Sequence, residues 1–390
     1  MYTKSQRVAN IPPYLFGEIN RKKQELIEQG VDVIDLGIGC PDLPTPEHIV
    51  NRLLEEMKDP NNFKYPGYSG CQEFREAVAR FYKKQFNVDL DPETEILTLI
   101  GSKEGIAHFI TASIDPGEIV LLPDPGYPTY RTATYLANGI PYSMPLRREN
   151  KYLPDFSIIP EHIKEKAKIM FLNYPSNPTA AVADHAFFQG AINFARQNQI
   201  TIAHDAAYQM VTFDRYESPS ILQADGAKEV AVEFGSLSKT YSMTGWRIGY
   251  AVGNKEALKS LLTVKSNVDT SQFIPIQKAA ATALTNDQLC VEEYNEIYKQ
   301  RRDGMLKALQ EMGIKADCPK GSFFIWAAVP KGFSSSEFVN NVLEKTGVIV
   351  TPGTAFGEYG EGYFRISLSV PTERLREAID RIKSKLALSV

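Results

Sequence analysis

Cysteine and histidine are scarce and scattered in this chain. Cys40, Cys71, Cys290 and Cys318 show no Cys-x-x-Cys spacing, and the five histidines are dispersed. A zinc site of the usual ligand spacing is excluded, and a disulfide scaffold does not suit 390 residues. Long apolar runs are missing as well, since none reaches the ~18 residues of a membrane-spanning helix. The opening stretch MYTKSQRVANIPPYLFGEIN has no apolar core and no small-residue cleavage site of a leader. Blocks of like charge are absent and the net charge is only −4, which excludes a basic nucleic-acid arm. The expectation is a cytoplasmic, metal-free protein with no nucleic-acid or membrane partner.

What is present is an alternation. EILTLI precedes GSKEGIAHFITASI, EIVLLPDPGYP precedes TYRTATYLANG, and KIMFLNYPSNP precedes HAFFQGAINFARQNQ; ITIAHDAAY, VAVEFGSLSK and GWRIGYAVG follow. Short apolar strands separated by helical stretches predict βαβ units and a mostly parallel sheet, an α/β fold. Several strands are apolar throughout, as a sheet covered on both faces requires. The last third reads differently. GSFFIWAAVP, GVIVTPG and YFRISLSV are strand-like, with amphipathic helices at 331–346 and 371–386, which predicts a smaller α+β domain. A helix around 285–312 links the two. The expected division is 1–45 as an N-terminal arm and part of the small domain, 46–284 as the large domain, and 285–390 as the small domain.

In open α/β sheets ligands sit beyond the carboxyl ends of the strands. Unusual residues cluster at those ends: GSK, PGYP, NYPSNPT, HDAAY and GSLSK. Lys239, in GSLSKTYSMTGWRIGY, has no acidic neighbour within the stretch, while Arg247 follows eight positions on. A lysine desolvated near cations has a lowered pKa and becomes a nucleophile. Alone it reads as a solvated loop lysine. Asp205 closes the apolar run ITIAH, with Tyr208 three residues later, a spacing that puts two side chains on one face. Alone Asp205 is as readily a helix N-cap. Ser102 and Lys103 occupy a glycine-led strand-to-helix turn suited to a phosphate. Ser236 and Arg247 add donors. Asn177 lies in a proline-rich loop, and Tyr127 presents an aromatic face. One cofactor uses an aromatic face, an amide, a phenol, a carboxylate, a lysine amine and a phosphate cradle together: pyridoxal 5′-phosphate.

Over nearly its whole length the chain resembles the fold-type I, class I/II aminotransferases, a PLP-dependent transferase fold. SLSKTYSMTGWRIGY resembles their lysine signature, NYPSNPT their Asn-Pro-Thr loop, HDAAY their Asp-x-x-Tyr, and YFRISLS their carboxylate-binding arginine strand. Within the family, IPPYLFGEINRKKQELIEQGVDVIDLGIGCPDLPTPEHIV, GSKEGIAH and LSKTYSMTGWRIG are most similar to LL-diaminopimelate aminotransferases. A second resemblance is to methionine-salvage type aminotransferases.

The resemblance implies amino transfer between an L-amino acid and a 2-oxo acid, first of all LL-diaminopimelate with 2-oxoglutarate in lysine biosynthesis. Methionine, aspartate or alanine are alternative donors, and a lyase or oxidase is an alternative chemistry on the same motifs. It implies that Lys239 links to the cofactor aldehyde and carries the proton, that Asp205 holds the pyridine nitrogen, and that Tyr208 and Asn177 hold the phenolic oxygen. Tyr127 stacks on the ring, Ser102, Lys103, Ser236, Ser238 and Arg247 hold the phosphate region, and Arg365 clamps the substrate carboxylate. A homodimer with shared sites is implied, Tyr65 in KYPGYSG reaching the partner's phosphate, with Tyr14 and Gly39 near the substrate. Three positions depart from the family pattern: Ala180 and Ser176, where glycine and asparagine are usual, and Cys40, where the diaminopimelate enzymes carry aspartate. Glycine at 180 would serve a positive φ, which alanine resists.

Overall fold

Strand hydrophobicity and direction decide where this chain can bind anything. In the computed structural model, which describes residues 3–11 and 15–386, β1 (Ile34–Asp35) precedes a large sheet. Its strands are β2 (Ile96–Leu99), β3 (Ile119–Asp124), β4 (Ile140–Pro145), β5 (Ala167–Asn173), β6 (Thr201–Asp205), β7 (Ala231–Ser236) and β8 (Gly249–Gly253). Their order across the sheet is β2-β8-β7-β6-β5-β3-β4. Only β8 pairs antiparallel with its neighbours, so β2 and β3 to β7 all run the same way. Their carboxyl ends therefore share one edge.

The sheet is covered on both faces: β2 at one edge and the interior strands β3 and β8 have every residue buried. Helices Gln72–Phe86, Ser102–Ser113, His185–Asn198, Lys255–Ser266 and Ile274–Thr285 accompany them. Each fully covered Leu, Ile, Val or Phe side chain contributes about 1.5–3 kcal/mol, and such residues form continuous clusters around the sheet. Among the polar groups buried with them is the carboxylate of Glu233. Glu233 accepts from Tyr82 Oη (2.7 Å), Ser220 Oγ (2.8 Å) and the Ile221 N–H (2.9 Å), and His204 Nδ1 lies 2.8 Å away. Burial opposes its charge, but His204, Tyr82 and Ser220 together hold the carboxyl below its usual range. Strand alternation sends His204 to one face of β6 and leaves Asp205 for the other.

The long helix Leu289–Glu311 leads to β9 (Phe324–Ala328), β10 (Val348–Ile349), β11 (Thr351–Pro352) and β12 (Tyr363–Ser367). Strands β11, β12 and β9 form an antiparallel sheet, and β10 pairs parallel with β1, joining the N-terminal segment to the C-terminal third. The stretch GVIVTPG, expected as one strand, is split between these two sheets. The helix expected over 331–346 starts at Ser335, because Ser334 and Glu337 close a reciprocal cap there.

The loop after β5 holds Ala180, where the resemblance implies glycine. Ala180 has φ +56° and is buried, inside a turn closed by Ala180 N–H to Ser176 O (3.1 Å) and Ser176 N–H to Ala181 O (2.9 Å). A side chain in the left-handed region costs roughly 1–2 kcal/mol, against about 0.5–1 kcal/mol of extra chain entropy for glycine. Ala180→Gly is expected to stabilise the fold by up to about 1 kcal/mol, raising the thermal midpoint by roughly 1–2 °C for a chain this long. A lower midpoint would contradict this account of the turn.

Candidate active site

Parallel pairing puts Asn173 of β5 beside Asp205 of β6, and Asp205 beside Phe234 of β7, two residues before Ser236. Leu99 of β2 and Ser236 both pair with Gly249 of β8. A Cβ on Gly249 would lie 2.7 Å from Gly235 O and 3.0 Å from the Ser102 nitrogen, so glycine permits this approach of turn to strand. Gly101 adopts φ +77°, and a Cβ there would lie 2.4 Å from the Arg247 guanidinium. The turn after β2 and Arg247 thus form one close-fitting cradle.

These strand ends line a cavity of about 430 Å³. Ser102, Lys103, Tyr127, Asn177, Asp205, Tyr208, Ser236, Ser238, Lys239, Arg247, Gly39 and Arg365 all line it. Tyr65 does not: it is 88% exposed on the outer surface. Tyr14 lies outside the described residues.

Lys239 sits on the single helical turn Leu237–Thr240, where the Ser238 N–H donates to the Ser236 hydroxyl at 3.2 Å. The Gly, Ser and Thr content of the stretch allows no more helix than that. Its Nζ donates to Gly39 O at 2.8 Å. Withdrawal from water lowers its pKa to about 8; Arg365 and Arg247 act in the same direction, while Cys40 and Asp205 oppose. Asp205, 5% exposed, is pushed up by burial. Tyr130 Oη (2.7 Å) and the Ala207 N–H (3.3 Å) donate to its carboxylate and restrain that rise.

Arg365 lies between the rings of Phe324 and Phe356, 4.2 and 4.6 Å from their centroids. It donates to Asn177 Oδ1 at 2.6 Å and to Gly37 O at 2.5 Å. Burial lowers its pKa to about 10, so it stays cationic at neutral pH. Asn177 is fixed from behind as well, its N–H donating to Asn173 Oδ1 (2.7 Å) while Asn173 Nδ2 donates to Asp205 O (2.7 Å). Asn173, Tyr130, Thr244 and Phe324 belong to this site and its support although sequence reasoning did not single them out. Tyr130 had a signal: it stands three residues after Tyr127, the spacing that marked Tyr208 after Asp205.

The profile of the family described as aminotransferase class I and II matches residues 31–382. The chain belongs to this family. The LL-diaminopimelate aminotransferase of Aquifex aeolicus is 52% identical to it over 98% of this chain and 99% of that one. The LL-diaminopimelate aminotransferase of Moorella thermoacetica is 49% identical over 98% of each. Among solved structures, apo-BacF from Bacillus subtilis matches with a TM-score of 0.96 at 40% identity, covering 100% of this chain and 99% of that one.

An aminotransferase of this family is a pyridoxal phosphate enzyme. The cavity suits that group: a half-buried amine of lowered pKa, a buried carboxylate at a strand end, and a glycine-built cradle edged by Arg247 converge on it. The lysine shift has a measurable sign. An unfolded lysine keeps its proton to about 10.5 and the folded one to about 8, so between these values the unfolded chain binds more protons. This group therefore makes stability rise with pH through that window and reduces it below. In the cofactor-free aminotransferase, the rate of pyridoxal phosphate uptake should climb with pH to a plateau with its midpoint near 8. A midpoint near 10.5 would contradict the assignment.

Proposed function

We propose that this aminotransferase moves the amino group of LL-diaminopimelate to 2-oxoglutarate, a step of lysine biosynthesis. The observation that carries the chemistry is the convergence of Lys239, Asp205 and Arg365 on one cavity. Identity near 50% over almost the full length to relatives named for LL-diaminopimelate supports the substrate.

When bound, pyridoxal phosphate supplies the electron-withdrawing ring that makes a proton on the substrate's Cα removable. Lys239 would link to its aldehyde and, once released by the substrate amine, would take that proton on Nζ and deliver it to the former aldehyde carbon, on the far side of the substrate nitrogen. A pKa near 8 suits an amine to both directions of transfer. Asp205 would keep the ring nitrogen protonated, its carboxylate oriented by Tyr130. Tyr208 and the Asn177 amide would hold the phenolic oxygen, and Tyr127 the ring face. Ser102, Lys103, Ser236, Ser238 and Arg247 would hold the phosphate. Arg365 would take the substrate α-carboxylate, its guanidinium plane fixed by two aromatic rings and Asn177. Gly39, whose carbonyl accepts from Lys239, would line the substrate side, with Tyr14 near it.

We further propose a cytoplasmic homodimer in which Tyr65 of the partner subunit completes the phosphate site. The described residues contain no helix long and apolar enough to cross a membrane. Phe63, Tyr65 and Tyr68 are exposed, and Phe63 stacks on Phe273 at 5.8 Å, an aromatic surface suited to burial against a second copy. The proposed division of the chain is 1–45, 46–284 and 285–390, with β1 pairing onto β10 in support of an N-terminal share in the small domain.

Mixing the pure holoenzyme with LL-diaminopimelate, methionine, aspartate, alanine and aromatic amino acids, and following the cofactor absorbance, tests the substrate. LL-diaminopimelate is expected to react fastest; an inert LL-diaminopimelate beside fast methionine would overturn the substrate and leave the reaction class. Asp205→Ala should retain cofactor yet lose the roughly 1.5–3 kcal/mol of a charge-assisted bond, about ten- to a hundred-and-fifty-fold in turnover. Near-normal turnover in that variant would remove Asp205 from the mechanism.

A further inference from the structure

Lys265 lies in the last turn of the helix Lys255–Ser266, before the loop to Gln272, yet its side chain is 0% exposed. Its ammonium donates to Asp269 Oδ1 and Oδ2 at 2.9 and 3.1 Å and to Glu104 Oε1 at 3.3 Å. His108 Nδ1 lies 2.6 Å from the same Glu104 oxygen. Glu104, His108 and Asp269 bring ligand atoms within 4.8 Å of one another, the spacing of a cation site. The lysine bonds two of the three, so the chain provides its own cation there. A buried charge in such a place is retained only with its partners, and the partners only with it.

Both carboxylates lead onward to the phosphate cradle. Glu104 Oε2 accepts the Ile100 N–H at 2.9 Å and braces the turn that carries Gly101 and Ser102. Asp269 Oδ1 accepts the Ser271 N–H at 2.9 Å. The next residue, Gln272, donates through Nε2 to Leu99 O at 2.5 Å and to Arg247 O. The turn after β2 and the backbone of Arg247, the two walls of the cradle, are thus tied to one buried ammonium that does not line the cavity.

We propose that Lys265 is a positioning residue for the cofactor phosphate, an internal cation that sets the spacing between the turn 100–103 and Arg247. The inference rests on the aminotransferase reading and extends it to a residue outside the site. A role confined to general stability would act on the whole cofactor alike; a role in the cradle acts on the phosphate alone.

The test titrates the full-length chain, stripped of cofactor, with pyridoxal phosphate and separately with pyridoxal, which lacks the phosphate. Lys265→Met should weaken pyridoxal phosphate about tenfold or more, the effect of losing a charged contact, and leave pyridoxal nearly unchanged. Asp269→Asn, which keeps the lysine, should shift the same ratio in the same direction by less. Lys265→Arg, which keeps the cation, should recover most of the loss. Equal weakening of both aldehydes in Lys265→Met and Asp269→Asn, or weakening of neither, overturns the proposal while wild-type uptake leaves the aminotransferase reading standing. A wild-type chain that takes up neither aldehyde overturns that reading and this inference together.

Discussion

An amine can attack an aldehyde or lift a proton near neutral pH only if it gives up its own proton there. Lys239 meets this constraint because the fold draws it out of water and sets two arginines in its field. Every larger feature serves that placement. The common direction of β2 and β3 to β7 brings the strand ends to one edge, and the reversed β8 returns Arg247 to the same edge. Had β8 run with the others, its preceding loop would lie at the opposite end of the sheet.

The segment from Leu36 to Thr45 is the second element the site depends on. Gly37 O accepts from Arg365 and Thr351, and Gly39 O accepts from Lys239. Asp42 accepts from Nη1 and Nη2 of Arg301 at 2.7 and 2.9 Å, and Thr45 Oγ1 donates to Ser242 O. One N-terminal stretch thereby ties the arginine strand β12 to the lysine turn. Cys40 stands in this stretch, lining the cavity with Sγ 3.7 Å from Thr244 Oγ1. Cys40, where resemblance to the diaminopimelate enzymes implies aspartate, therefore bears on the wall of the site and leaves the lysine, carboxylate and arginine in place.

Much of the candidate site was legible in the sequence because Ser102, Tyr127, Asn177, Asp205 and Lys239 each close or follow an apolar strand, and strand ends in a parallel sheet must converge; Arg365 and Gly39 lie outside that sheet and were reached only through the family resemblance. The support was less legible. Tyr130 lies in the helix Pro128–Leu136 and reads as a core aromatic; its hydroxyl bond to Asp205 depends on a fold contact 75 residues away. Lys265 reads as an ordinary helical lysine with an i,i+4 partner in Asp269, and its second partner, Glu104, comes from a helix far away in the sequence. Among the strands, β4 was missed because the two prolines of IPYSMP break its apolar pattern; neither can donate to a ladder, and β4 lies at one edge of the sheet. The reversed β8 has the same apolar composition as its neighbours, so composition carries no sign of its direction.

The central claim is that the nitrogen of Lys239 is the point of covalent attachment. Borohydride reduction of the holoenzyme, followed by peptide mapping, tests it most directly. The account predicts the added cofactor mass on the peptide bearing Lys239 and on no other lysine. A reduced cofactor found on a different residue, or a protein that carries none after incubation with pyridoxal phosphate, would contradict it.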